Sequence, residues 1–254
     1  MADKRCYGEA PPGIDPEGLT GALIVIEGPD GSGRSTHIEL LTYWLEQQGY
    51  PVARTGLTRS ALVSQELDEA KFGNVLSPRT MSLFYASDFY DQLENVIVPS
   101  MRAGSVVLAD RYIFTLMARD RVRGADAAWL ESLYSMAIVP DAVFYFSVSP
   151  GTLAERTLTS YERLDYWESG MDLGLDRDWF TSFQKYQELL RTEYRSLGEQ
   201  YEFLGIDADD SLNAVQQRLR DRLEEVLESS YKAPAEQPIP EIPKAPPHMN
   251  LEVS

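Results

Sequence analysis

Cysteine is almost absent from this 254-residue chain, and so is histidine. Cys6 stands alone, so an internal disulfide is excluded and thiolates cannot assemble a metal site. His37 and His248 are the two histidines, too few for a structural zinc site. Long apolar runs are missing too. No stretch of about 18 apolar residues occurs, the length a membrane-crossing helix needs, and the N-terminus lacks a signal-peptide pattern. The expectation is a soluble, cytoplasmic protein. Positive charge is scarce: 23 Lys and Arg stand against 40 Asp and Glu, a formal net charge of -17. Nucleic acid and anionic membranes repel such a chain, so neither is an expected partner. Lysine is the scarcer base, with 5 against 18 arginines, and five of those arginines fall between Arg102 and Arg123. Arginine is the better fork for phosphate oxygens. A polyanionic ligand would need such a local concentration of positive charge.

Apolar residues make up 43% of the chain, ordinary for a globular protein with a sizeable core. The organising stretch is Leu23-Ile24-Val25-Ile26-Glu27-Gly28-Pro29-Asp30-Gly31-Ser32-Gly33-Arg34-Ser35-Thr36. A β-branched run ends in a glycine-rich turn, and a helical pattern follows at once. That is the layout of a phosphate-binding loop, G-x-x-x-x-G-K-[ST], with Arg34 at the lysine position. Gly28, Gly31 and Gly33 can adopt angles that turn successive N–H groups toward an anion, and the helix start adds its positive end. Ser35 offers a hydroxyl to Mg²⁺. Arg34 brings a permanent charge as a planar fork rather than a compact ammonium. The competing reading is a glycine-rich strand-to-helix turn with no ligand.

Along the chain, residues 1–20 read as a flexible lead-in and residues 230–254, with six prolines, as a disordered tail. Between them, strands are expected at 22–27, 51–54, 105–109, 142–148 and 201–206. Helices are expected at about 34–48, 61–70, 77–104 with a kink at Pro99, 112–123, 126–137, 150–158, 178–196 and 209–228. Residues 159–177 lack periodicity and read as a functional lid. Alternating strands and helices predict a three-layer α/β fold, a five-stranded parallel sheet flanked by helices, over residues 21–229. Ligands then belong at the carboxyl ends of the strands, where Gly28, Thr55, Asp110 and Val148 lie.

The order of motifs resembles the thymidylate kinase family of P-loop nucleotide kinases. Four segments carry the resemblance: Ile26–Thr36; Val96–Tyr112, ending in Asp110-Arg111-Tyr112; Phe146-Ser147-Val148-Ser149-Pro150 with Arg156; and Trp179 through Tyr194, followed by Ile206-Asp207-Ala208. The sequence departs from the family pattern at Arg34, at Arg54-Thr55-Gly56-Leu57-Thr58-Arg59, at Phe89 in place of a base-contacting arginine, and at Ala118-Arg119-Asp120-Arg121. The resemblance implies a P-loop NTPase fold, ATP and Mg²⁺ as donor and metal, a nucleotide acceptor, and a homodimer through the long helices.

Phosphoryl transfer needs aligned reactants and cancelled charge rather than covalent help. Gly28, Pro29, Asp30, Gly31, Ser32, Gly33, Arg34, Ser35 and Thr36 are the candidates for holding the donor phosphates. Asp30 orients the acceptor or a metal-bound water, or simply forms the turn. Asp110 and Arg111 end a buried strand, either as a structural ion pair or as site residues. By resemblance, Asp110 joins Ser35 at the metal and Arg111 meets the acceptor phosphate. Arg59 is a further acceptor-phosphate candidate or a solvated loop arginine, and Arg119, Arg121 and Arg123 are phosphate-facing or a solvated face. Arg156 and Arg163 swing over the transferring group, or Arg156 merely pairs with a carboxylate. Phe84 or Phe89 contacts a base, against the common alternative that helix aromatics fill the core.

Three readings result. The first is a kinase moving the γ-phosphate of ATP onto dTMP. The second is a catalytically impaired nucleotide sensor or scaffold, for which Arg34 speaks. The third is a kinase of this fold with another acceptor, for which Phe89 and Asp120 speak.

Overall fold

A computed structural model describes residues 4–60, 62–63, 65, 67–69, 76–160 and 166–231. Five strands form one sheet: β1 (Ala22–Glu27), β2 (Val52–Gly56), β3 (Val106–Asp110), β4 (Ala142–Ser147) and β5 (Leu204–Asp207). Every pairing is parallel, in the order β2-β3-β1-β4-β5. The helices are α1 (Arg34–Gln47), α2 (Pro78–Gln92), α3 (Val98–Arg102), α4 (Ile113–Val122), α5 (Ala127–Leu133), α6 (Pro150–Ser160), α7 (Trp179–Gln200) and α8 (Leu212–Ser230).

All six residues of β1 are buried, as a central parallel strand covered on both faces requires. Successive side chains point to opposite faces, and the two cores divide on that rule. Leu23, Val25, Val107 and Ala109 join Phe89, Leu116, Tyr186 and Tyr194 from α2, α4 and α7. Ala22, Ile24, Ile26, Val106 and Leu108 join Ile38, Leu41, Leu219 and Leu223 from α1 and α8. The three-layer expectation is therefore met, and Glu27, Gly56, Asp110 and Ser147 end their strands at the sheet's carboxyl edge.

Several boundaries shift for identifiable reasons. The long helix is interrupted rather than kinked: a π turn at Leu93–Ile97 joins α2 to α3. Pro99 has no N–H to continue the ladder, and a wider turn just ahead of it relieves the ring clash. β5 begins at Leu204 because Tyr201 caps α7 and Glu202 takes a left-handed φ of 56°. The segment at 61–70 is described only in part, with helix at residues 65 and 67–69. Arg163 and the proline-rich stretch from residue 232 lie outside the described residues. In the segment before β1, Cys6 bridges Ile138, Tyr7 N–H donates to the Ala137 carbonyl at 3.0 Å, and Leu19 is buried.

Candidate active site

The β1–α1 turn builds the first wall. Gly28 has φ 147°, and a Cβ there would lie 2.9 Å from the Phe146 carbonyl oxygen, so no side chain fits. Gly33 caps α1 in the left-handed region and supplies no side-chain hydrogen bond. The other long helices are capped by Ser77, Asp178 or Ser211. The first N–H groups of α1 thus carry no side-chain cap, and they sit at the positive end of the helix. Ser35 and Thr36 are exposed at this edge.

Arg34 turns inward and is 8% exposed. Its Nη1 donates to the Gly28 and Pro29 carbonyls and, at 3.3 Å, to Ser32 Oγ. Its Nε donates to Asp110 Oδ1 at 3.0 Å. Asp110 also accepts from Ser35 Oγ at 3.1 Å on its other oxygen, which lies 3.9 Å from Arg59 Nη2. Burial works to raise the Asp110 pKa, but the charge and hydrogen bond of Arg34 outweigh it, so the carboxyl stays below its usual range.

Asp30 is the second anionic centre. Arg111 donates to it directly, Arg119 Nη2 stands 3.5 Å away, and Arg34 Nη2 3.9 Å. Burial again opposes ionisation, yet the three guanidinium charges hold the Asp30 carboxyl well below the ordinary range. Three cations around one carboxylate leave a surplus of positive charge beside the glycine loop. Arg111 reaches Asp30 from a strained backbone, φ 71°, in a conformation non-glycine residues seldom take. Its N–H donates to the Ile26 carbonyl at 3.0 Å, which anchors that turn to β1.

The sequence-based candidates separate into groups. Asp30, Arg34, Ser35, Asp110, Arg111 and Arg119 converge, with Arg59 at the edge, 43% exposed. Arg156 lies apart from them: it donates to the Ala208 carbonyl at 3.0 Å, across the β5–α8 junction. Phe89 is a core residue, 3% exposed, with the rings of Tyr90, Tyr112 and Tyr134 at 5.0, 5.2 and 5.8 Å. Its faces are taken, which removes it from the expected base contact. Phe84 is half-buried. The α2 aromatic that reaches a cavity is Tyr85, with Arg119, Asp120, Arg123, Trp167 and Tyr186 among its other walls. That cavity holds about 30 Å³, room for about one water in this state. Arg123 braces it, bonding Asp172 at 2.8 Å and Tyr186 Oη at 2.7 Å.

Two residues passed over in the sequence organise the site. Glu27, fully buried, accepts from Tyr112 N–H at 2.9 Å, Thr115 N–H at 3.2 Å, Thr115 Oγ1 at 2.6 Å and Tyr194 Oη at 3.3 Å. It thereby fixes the start of α4 and, with it, Arg111 and Arg119. Burial pushes its carboxyl up against these hydrogen bonds. The available signal was an acid closing an otherwise apolar strand. Asp88, also fully buried, accepts from Thr58 N–H at 2.8 Å and Ser60 N–H at 2.9 Å, and so shapes the loop that carries Arg59.

A parallel sheet with a glycine-loop phosphate cradle at its carboxyl edge, faced by paired acids and arginines, defines an α/β phosphotransferase architecture. The sequence model of the family described as thymidylate kinase matches residues 26–219. The probable thymidylate kinase 2 of Saccharolobus solfataricus is 36% identical over 213 residues, 84% of this chain and 100% of that protein. The thymidylate kinase of an Exiguobacterium species is 29% identical over 80% of this chain and 94% of its own length. That of Clavibacter sepedonicus is 33% identical over 59% and 74%. The chain belongs to the thymidylate kinase family. Among the described residues, no helix is long and apolar enough to cross a membrane.

Proposed function

We propose that this protein transfers the γ-phosphate of ATP to dTMP, yielding dTDP and ADP, with Mg²⁺. The observation that carries the reading is the convergence of the Gly28–Thr36 loop with Asp30, Arg111, Arg119 and the Ser35–Asp110 pair. The loop amides and the α1 start bind the donor phosphates. Arg34 acts first as a clamp on the loop, holding two of its carbonyls so that the N–H groups face the other way. Arg111 and Arg119, anchored through Asp30, meet the acceptor phosphate, with Arg59 at the rim. Asp30 aligns the acceptor.

The donor set suits Mg²⁺: Ser35 Oγ and Asp110 Oδ2, 3.1 Å apart, are hard oxygens, and this ion takes few protein ligands beside phosphate and water. When bound, the ion neutralises charge on the transferring phosphoryl group. The segment at about 159–177 serves as the lid, with Gly170 and Gly174 in left-handed conformations that suit hinge positions. Arg156 reaches the transferring group only by leaving the Ala208 carbonyl as that segment closes. Tyr85 and the cavity beside it receive the acceptor base once that cavity widens.

An ADP-release assay over a panel of nucleoside monophosphates tests the proposal. Fastest turnover with dTMP is the expected result. ATP binding without turnover on any acceptor would make the protein a sensor instead, and preference for another acceptor would reassign the substrate.

A further inference from the structure

The wall that α4 gives to the cavity beside Tyr85 contains Leu116, Arg119, Asp120 and Arg123. Both arginines are engaged elsewhere, Arg119 with Asp30 at 3.5 Å and Arg123 with Asp172 at 2.8 Å. Among the described residues, Asp120 is thus an acid in the cavity wall with no ion pair. We propose that Asp120 reads the acceptor base, its carboxyl meeting a ring N–H and the carbonyl next to it. The inference rests on the acceptor base entering beside Tyr85.

The surroundings favour that role. Tyr85 on α2 supplies a ring on which a base stacks, and Pro78, Met81 and Leu116 keep the wall largely apolar. A stacked base still needs a polar group to fix its edge, and Asp120 supplies one. The titratable groups around its carboxyl are Tyr85 on α2, Arg119 and Arg123 on α4, Tyr134 after α5, and Glu168 and Tyr186 at α7. Burial outweighs the two arginine charges and the Ser82 hydrogen bond, and the carboxyl is pushed up to about 6. A base arriving over it removes more water and favours the neutral form further. A neutral carboxyl has an O–H to donate and a carbonyl oxygen to accept. Thymine presents the reciprocal pair, an N–H beside a carbonyl. Guanine presents a ring N–H beside an amino group, two donors, and suits an ionised carboxylate instead.

The experiment measures binding of dTMP, N3-methyl-dTMP and dGMP by calorimetry to the full chain, to Asp120→Asn and to Asp120→Leu. The wild type is expected to prefer dTMP over the N3-methyl analogue about tenfold or more, because the analogue lacks the N–H. Asp120→Leu, similar in bulk, should bind the two within about twofold of each other. Asp120→Asn carries the donor and acceptor of the neutral acid permanently and should keep the preference. Between about pH 6.5 and 8, wild-type affinity for dTMP should fall about fivefold or more relative to Asp120→Asn, since the acid must take up a proton and the amide need not. The phosphate of dTMP titrates alike in both comparisons. If Asp120→Leu fails to fold, the pH comparison with Asp120→Asn decides alone. A preference intact in Asp120→Leu, an affinity ratio that ignores pH, or dGMP bound more tightly than dTMP would overturn the proposal, and so would dTMP that does not bind. Binding is read without ATP, so dTMP that binds as described but is never phosphorylated would overturn the kinase reading alone.

Discussion

Arg34 and Asp110 form an ion pair across the head of the sheet, Nε to Oδ1 at 3.0 Å, with the guanidinium 8% exposed. The same guanidinium reaches back to the Gly28 and Pro29 carbonyls. A lysine ammonium is a point charge and cannot span both partners as a planar fork does. The guanidinium at this position is thus part of the loop's own hydrogen bonding. Arg34→Met should cost about 1–3 kcal/mol of stability, because Asp110, only partly buried, keeps Ser35 but loses its main cation. Arg34→Lys keeps the charge and should fall between in stability, with kcat reduced because an ammonium cannot hold the same partners. Thermal melts and the coupled assay check both; a rise in kcat for the lysine variant would mean the fork hinders transfer.

Asp30 is surrounded by Arg111, Arg119 and Arg34, and its folded pKa is lowered. A lowered carboxylate contributes stability that is present above its unfolded pKa and lost as pH falls toward the folded value. Asp30→Asn should therefore melt earlier than wild type at pH 7, and the difference should shrink as pH drops below about 4. Transfer should slow about 100-fold, the usual cost of losing alignment of the reacting groups. Melting curves across pH and initial rates test the two halves independently.

Asp120 titrates in the opposite sense, pushed up to about 6 by burial. Its ionisation is harder in the fold than in the open chain, so stability is lost as pH rises from about 4 to about 6. Asp120→Asn should match wild type near pH 4 and be more stable at pH 7.5, by at most about 3 kcal/mol. Equal melting temperatures at both pH values would show that Asp120 is not desolvated.

Gly28 has no room for a side chain: a Cβ would lie 2.9 Å from the Phe146 carbonyl. Gly28→Ala should lose about 1–3 kcal/mol from the φ strain. ATP affinity should fall at the same time, because the loop must move off β4. Calorimetry with Mg·ATP on the variant, beside a thermal melt, separates the two effects.

Much of this arrangement was legible in the sequence because it is local. The strand-turn-helix of the loop and the apolar run of β3 are each written in consecutive residues. The position of Asp110 at the sheet's carboxyl edge also followed, since parallel strands bring their carboxyl ends together; its pairing with Ser35 was implied by the family resemblance alone. What stayed hidden depends on tertiary placement. Phe89 and Tyr85 lie four residues apart on one helix, yet Phe89 packs into the core and Tyr85 reaches a cavity. Composition gives both the same prior. Glu27 and Asp88 act by accepting backbone N–H groups from segments 85 and 30 residues away, and even the acid that closes apolar β1 does not say which segments it accepts from. The partners of Arg34, two loop carbonyls and Asp110, were likewise not readable from its position in the motif.

The most direct test follows the phosphate itself. The protein is incubated with γ-labelled ATP, Mg²⁺ and dTMP, and the products are separated. The account predicts that the label appears in dTDP in proportion to ADP formed. Label that remains in ATP, or that is released as inorganic phosphate at a rate indifferent to dTMP, would contradict it.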